Sequence, residues 1–169
     1  MSNLEMIKRT SRNAESDECY TPSDQVIPLL EYLDKDKTYY EATSGISSNV
    51  LDGFHKHGYN MVGSNGKDFF ECTSEDVHDG IITNPPYSLK DKFIAHCYSL
   101  KKPFALFLPV ASFQGGKRGQ MFMDYGMSTL VYNNRVDFTG GGAPHFGNAW
   151  FMWGILPSNT VYWANNPKS

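Results

Sequence analysis

The stretch Gly80-Ile81-Ile82-Thr83-Asn84-Pro85-Pro86-Tyr87-Ser88-Leu89-Lys90-Asp91-Lys92-Phe93-Ile94 decides how the rest of the chain is read. It opens as a short apolar run and closes as a helix-like segment. Between the two, Pro85 and Pro86 give up two backbone donors and fix two φ angles near about −65°. Pro85 also pushes Asn84 out of the α region. A strand that runs straight into Asn-Pro-Pro-aromatic is a poor way to build a simple turn. It builds a stiff rim at a strand's end, carrying one amide side chain, bare carbonyl acceptors and one aromatic face. The plainer reading is a Pro-rich loop after a buried strand.

That inventory suits a planar, amino-bearing ring such as adenine. An exocyclic amine is a weak nucleophile because its lone pair is delocalised into the ring. Two acceptors aimed at its N–H bonds, the Asn84 side-chain oxygen and the Pro85 carbonyl, would draw the nitrogen toward sp³ geometry and localise the pair. Tyr87 would stack on the ring and hold it at attack distance from an electrophilic methyl group. No general base is required, since the proton can leave after transfer. A target inside a duplex must first swing out of the stack.

Outward from this stretch, strands and helices alternate. Val26, Leu29, Leu30 and Leu33 have helical spacing, in a segment opened by Pro22 or Ser23. Thr38 to Glu41 reads as a strand, Ser47 to His57 as a helix stopped by Gly58, and Tyr59 to Gly63 as a second strand. Gly80 to Thr83 carries the motif, Leu89 to Leu100 is the next helix, and Phe104 to Val110 is a continuous apolar strand of the kind found inside a parallel sheet. Gln114 to Gly119 reads as a glycine- and cation-bearing loop before a short helical segment near Met121 to Tyr125. Leu130 to Phe138 and Ala149 to Leu156 read as two late strands, separated by Thr139 to Gly147. The alternation predicts an α/β fold with a parallel sheet and helices on both faces. Ligands of such sheets sit beyond the carboxyl ends of the strands, where Glu41–Gly45, Asn65–Asp68 and Asn84–Tyr87 all fall.

Composition sets wider bounds. A chain of 169 residues is one domain with a real core, and residues 1–18 read as a polar, adaptable arm ahead of a single domain over 19–169. No apolar run reaches the length of a membrane span, and the N-terminal segment lacks the apolar core of a signal peptide. Three widely spaced cysteines, Cys19, Cys72 and Cys97, fit a reducing compartment rather than a disulfide framework or a zinc site. His55 and His57, at i,i+2 on a helix, do not share a face and make a poor metal pair. A net charge of −3 leaves room only for a local basic patch, which points to modest, salt-sensitive affinity if the target is nucleic acid.

Ile82-Thr83-Asn84-Pro85-Pro86-Tyr87-Ser88 resembles the catalytic motif of S-adenosylmethionine-dependent amino-methyltransferases, and most closely the adenine-N6 DNA methyltransferases, in particular their small phage-like form without a separate target-recognition domain. The resemblance runs from about Tyr20 to Trp153. It implies a Rossmann-like class I methyltransferase fold, a mostly parallel doubly wound sheet with an antiparallel strand near the C-terminus. It also implies S-adenosylmethionine as cofactor, a nucleic acid partner, no metal, and a cytoplasmic setting in a bacterium or phage-infected host. The same tetrapeptide occurs in methyltransferases of RNA adenine and of protein glutamine, and a catalytically degenerate binding module on this scaffold is a further alternative.

By that resemblance, Asn84, Pro85, Pro86 and Tyr87 are catalytic, with Asn84 also bordering the cofactor. Tyr20, Thr21 and Pro22 border the cofactor's methionine end. Glu41, Ala42, Thr43 and Gly45 form the first cofactor motif, in which the acid meets the ammonium; Ser47 stands where relatives commonly have a second glycine. Asn65 stands where an acid usually binds the ribose, and Asp68 and Phe69 are candidates to meet the adenine amine and ring. For Asp68 and Phe69 the competing reading is a helix cap and a core aromatic. On the target side, Lys90, Lys117 and Arg118 are candidates for phosphate, Phe113 for a wedge, and His145, Phe146 and Trp150 for a late loop beside the base. Trp150 reads equally well as a core residue of a final strand.

Overall fold

The computed structural model describes residues 21–44, 48–138 and 146–167. The expected arm and the candidates Tyr20, Gly45, Ser47 and His145 lie outside the described residues. Seven strands make one sheet: β1 (Thr38–Glu41), β2 (Asn60–Gly63), β3 (Gly80–Thr83), β4 (Phe104–Pro109), β5 (Ser128–Tyr132), β6 (Asn148–Trp153) and β7 (Val161–Ala164). Their spatial order is β2-β1-β3-β4-β6-β5-β7. β1 pairs in parallel with both β2 and β3, and β3 with β4. β6 runs antiparallel between β4 and β5, and β7 adds in parallel to β5. The sheet is thus mostly parallel with an antiparallel strand near the C-terminus, as the sequence reading expects.

Two apolar layers cover the two faces, and the strands' alternation sorts residues between them. On one face Tyr40, Ile81, Leu106, Leu108 and Phe151 pack under α3 (Lys90–Leu100), through Phe93, Ile94 and Cys97, and under Phe122 of α4 (Gly116–Tyr125). On the other face Tyr39, Ile82, Phe107, Leu130 and Trp150 pack under Val26 of the 3-10 turn Ser23–Val26, Leu29 of α1 (Ile27–Leu30), and Val50 and Phe54 of α2 (Asn49–Lys56). α2 begins where the Ser48 hydroxyl accepts the Leu51 N–H at 3.0 Å. It ends at Lys56, and the chain turns away at Gly58, whose φ of +75° only glycine adopts without strain.

Gly53 inside α2 breaks the usual preference against glycine in a helix for a visible reason. A Cβ there would meet the Ser23 carbonyl oxygen at 2.3 Å. The missing side chain lets the 3-10 turn Ser23–Val26 lie directly on α2, and that turn carries the chain away from Thr21.

Two expectations need correction, and one strand was not foreseen. The segment 114–119 is no open loop, because α4 starts at Gly116 and its first turn is closed by a Gly119 N–H to Gly115 carbonyl bond of 2.7 Å. The strand expected over Leu130 to Phe138 is confined to Ser128–Tyr132. Pairing moves back toward Ser128, which lies opposite Met152 of β6, and stops before the exposed Asn133-Asn134-Arg135. β7 escapes the sequence reading: it is a short edge strand with Trp163 70% exposed, so it lacks the buried apolar run that marks an inner strand.

Candidate functional site

The chain runs from β1 outward to β2, returns to β3 on the other side of β1, and moves outward again to β4. The order therefore reverses between β1 and β3, and a crevice opens beyond their carboxyl ends. Because β6 is antiparallel, its first residue, Asn148, lies opposite Pro109 at this same edge. The Val110 N–H to Gly147 carbonyl bond of 2.8 Å fastens that corner.

The floor of the crevice is a hydroxyl–carboxylate cluster. Glu41 ends β1 at 1% exposure. Its Oε1 accepts from the Thr43 backbone N–H and lies within reach of the Thr43 hydroxyl, both at 3.0 Å, and it accepts the Thr83 hydroxyl from β3. The two threonine hydroxyls lie 2.9 Å apart, and that of Thr43 also reaches the Asn84 carbonyl at 3.2 Å. An acidic side chain is thereby fixed where β1 and β3 diverge. Thr43 above it is exposed, while Ala42 is buried in the core. Ser44 extends the cluster sideways: its Oγ accepts the Ser64 N–H at 2.7 Å, tying this loop to the turn after β2.

The rim follows from β3. Pro85 is buried, and Pro86 leads into a 3-10 turn over Tyr87–Leu89 before α3. The Asn84 amide Nδ2 donates to the Thr21 hydroxyl at 2.8 Å. Tyr87 is partly exposed, and its hydroxyl accepts from the Asn148 amide Nδ2 at 2.8 Å. The Phe146 ring stands against Tyr87 at 74°, centroids 5.9 Å apart, and is 39% exposed. Lys90 folds back to donate to the Tyr87 carbonyl at 3.0 Å. The rim thus carries an amide whose Oδ1 is buried and whose Nδ2 is bonded to Thr21, followed by two rings nearly at right angles. Pro22, at the entry of the 3-10 turn, is partly exposed beside the buried Thr21.

Asn65 and Gly66 follow β2 with φ of +49° and +82°. The Lys67 N–H reaches back to the Ser64 carbonyl at 3.0 Å, which is a tight turn of left-handed residues. Asparagine, like aspartate, tolerates that conformation better than most side chains. Asp68 accepts the Phe70 N–H at 2.9 Å and caps a 3-10 turn. Phe69 is 3% exposed and stacks on Phe93 with centroids 4.9 Å apart. Both therefore follow the cap-and-core reading, and Phe69 leaves no ring face for an adenine.

Two target-side candidates are corrected as well. Trp150 is fully buried, and its Nε1 donates to the Tyr132 hydroxyl at 2.8 Å on the sheet's inner face, so it does not wall an open pocket. Arg118 pairs with Asp91 at 2.6 Å, and its guanidinium also donates to the carbonyls of Ser112, at 2.9 Å, and Gln114. Its donors hold the corner between β4 and α4 and are not turned outward. Lys117 is exposed, and Phe113 is 36% exposed with its ring against Phe151. The His55 ring meets the Met61 carbonyl at 2.8 Å. Thr83, Ser44 and Asn148 carry no role in the sequence reading. The single available signal is that Thr83 and Asn148 are polar residues at the ends of otherwise apolar runs.

No protein-family model matches the sequence, and neither does any curated protein. Among solved structures, the chain is similar to a modification subunit of a putative type I restriction enzyme from Vibrio vulnificus YJ016, with a TM-score of 0.53 and 14% identity over 98% of this chain and 51% of that one. It is also similar to a putative class I S-adenosylmethionine-dependent methyltransferase from Listeria monocytogenes, with a TM-score of 0.52 and 13% identity over 86% of this chain and 65% of that one. The chain spans about half the length of the first and under two thirds of the second. At such identities the likeness establishes the fold, which is that of the class I methyltransferases.

Proposed function

We propose that this chain transfers a methyl group from S-adenosylmethionine to the exocyclic N6 of adenine in DNA, with short or loose sequence preference. The observation that carries the reading is the position of Asn84-Pro85-Pro86-Tyr87 on the rim of the β1–β3 crevice, directly above the Glu41–Thr43–Thr83 cluster. The likeness to a restriction-enzyme modification subunit supports a nucleic acid acceptor.

The donor chemistry at the floor fits the cofactor's charged end. Glu41 is a buried acceptor held by three neighbouring donors, and a cation bound above it gains from that charge. Thr43, Thr21 and Pro22 border the same end, while Asn65 and Asp68 face solvent on the side expected for the nucleoside. When bound, S-adenosylmethionine supplies a methyl on a sulfonium, whose carbon–sulfur bond breaks as the nitrogen's lone pair forms the new carbon–nitrogen bond, leaving a neutral thioether. The chain's part is to prepare the nucleophile. Asn84 Oδ1 and the Pro85 carbonyl accept hydrogen bonds from the two amine N–H groups, Tyr87 stacks on the base, and Phe146 meets its edge. The proton leaves to solvent after transfer. Lys117 and Lys90 are the candidates for backbone phosphate.

The test is incubation of mixed-sequence DNA with cofactor labelled on its methyl group. Label on N6-methyladenine is expected. Label on RNA but not DNA would move the substrate to RNA adenine. A non-enzymatic binding module is the rival reading, and the burial of Phe69 together with the uncharged Asn65 turn favours it. Calorimetry separates the two: no heat of binding at millimolar S-adenosylmethionine supports the module.

A further inference from the structure

We infer that Thr21 and Asn148 are positioning residues for this reaction, each orienting one reactive side chain of the motif from a distant part of the sequence. The inference rests on the methyl-transfer reading above.

An asparagine amide can present either end to a ligand. One end accepts and the other donates twice, so a target amine, itself a donor of two protons, is engaged by the first and repelled by the second. The Asn84 Nδ2 to Thr21 Oγ1 bond of 2.8 Å holds the amide in one of its two orientations, with the donor end on Thr21 and the buried Oδ1 as the end that would meet a target amine. Thr21 is placed to do this rigidly. It is 3% exposed, and the Gln25 N–H closes onto the Pro22 carbonyl at 2.9 Å just after it. The turn so formed is seated on α2 at Gly53. Thr21 thus has a use separate from bordering the cofactor.

Asn148 does the same for the ring. It is 3% exposed at the start of β6, held opposite Pro109 by strand pairing. Its Nδ2 donates to the Tyr87 hydroxyl at 2.8 Å, pinning the far end of a ring that Phe146 meets on one side. Its Oδ1 is buried and makes no hydrogen bond among the described residues. A residue chosen only for packing would avoid that penalty, and an aliphatic side chain would remove it. The amide is retained where its donor end reaches Tyr87.

The experiment combines kinetics with a signal independent of turnover. Thr21→Val keeps the shape and removes the hydroxyl. It is expected to lower kcat by about tenfold or more, and Thr21→Ser is expected to restore most of the loss. The side-chain amide resonances of Asn84 should shift in Thr21→Val and return in Thr21→Ser. Asn148→Leu should raise KM for the target far more than it lowers kcat. Combined with Tyr87→Phe it should add little, since both remove one bond. Unchanged Asn84 resonances and unchanged kcat in Thr21→Val, or additive effects of Asn148→Leu and Tyr87→Phe, would overturn the inference in an active enzyme. A wild-type protein that labels no acceptor sinks the methyl-transfer reading itself, and the two failures are thereby told apart.

Discussion

At the scale of single residues, the chemistry concentrates on one amide. If Asn84 supplies the acceptor that localises the amine's lone pair, Asn84→Ala removes a contact made most strongly in the transition state. The expected result is a loss of about 10²- to 10³-fold in kcat with cofactor affinity nearly unchanged, measured by methyl incorporation and calorimetry. A wild-type rate would discard the activation mechanism. Trp150 and Phe146 make a contrasting pair, since the sequence offers both as walls of a base pocket. With Trp150 fully buried and Phe146 39% exposed, the prediction divides. Trp150→Ala should cost about 3–5 kcal/mol of stability in a denaturant titration. Phe146→Ala should leave the midpoint nearly fixed and weaken target capture. The motif was legible because proline and asparagine constrain the backbone wherever they occur. The aromatic run Trp150-Phe151 was not, because alternation along a strand gives two faces and does not say which one meets the crevice. Asn65 is read in the sequence as standing where an acid binds ribose; the structure adds that it stands in a left-handed turn, which asparagine and aspartate both tolerate.

At the scale of elements, the strands that build the site were readable, and of α4 only the second half was. β1 and β3 fall on the residues expected, since buried parallel strands are short apolar runs. The start of α4 was hidden by Gly115, Gly116 and Gly119, which argue against a helix when propensity is summed alone. Tertiary bonds override them: Arg118 reaches from the first turn of α4 to Asp91 on α3, and Phe122 buries against the sheet. Arg118→Ala should therefore loosen α4 and lower the thermal midpoint, while Lys117→Ala should leave the midpoint unchanged and flatten the salt dependence of DNA binding. Equal effects of both on salt dependence alone would return Arg118 to the role of a phosphate ligand. Gly53 gives a second test at this scale. Gly53→Ala would raise helix propensity in isolation, yet its new methyl collides with the Ser23 carbonyl. The expected outcome is destabilisation of about 1–3 kcal/mol by denaturant titration. It should come with loss of transfer, because the displaced turn carries Thr21.

At the scale of the whole molecule, the two ends of the described chain are tied together beneath the sheet. Gln25 Nε2 donates to Asn166 Oδ1 at 3.0 Å, and the Gln25 carbonyl accepts the Tyr132 hydroxyl, which in turn receives the Trp150 indole. Burial raises the Tyr132 phenol well above its ordinary range, so this chain of bonds stays neutral across physiological pH. The opposite flank, between β2 and β3, is fastened by charge instead. Lys67 meets Asp76 at 2.6 Å, and the Thr73 N–H and hydroxyl add bonds of 2.7 and 2.9 Å to the other carboxylate oxygen. The Lys67 bond first, and then those from Thr73, hold the Asp76 carboxyl down at about 2, below its ordinary 3.8. A depressed folded-state value means that protons bind the unfolded chain first as pH falls. The stabilisation is therefore fully present above about pH 4 and is lost as pH drops toward about 2. The paired side chains are 44% and 32% exposed, so screening keeps the effect small and salt-sensitive. The thermal midpoint of Asp76→Asn should lie below that of the wild type at pH 6, and the gap should close on acidification into that window. A gap that stays constant from pH 6 to pH 2.5 would show that Asp76 acts through shape rather than charge.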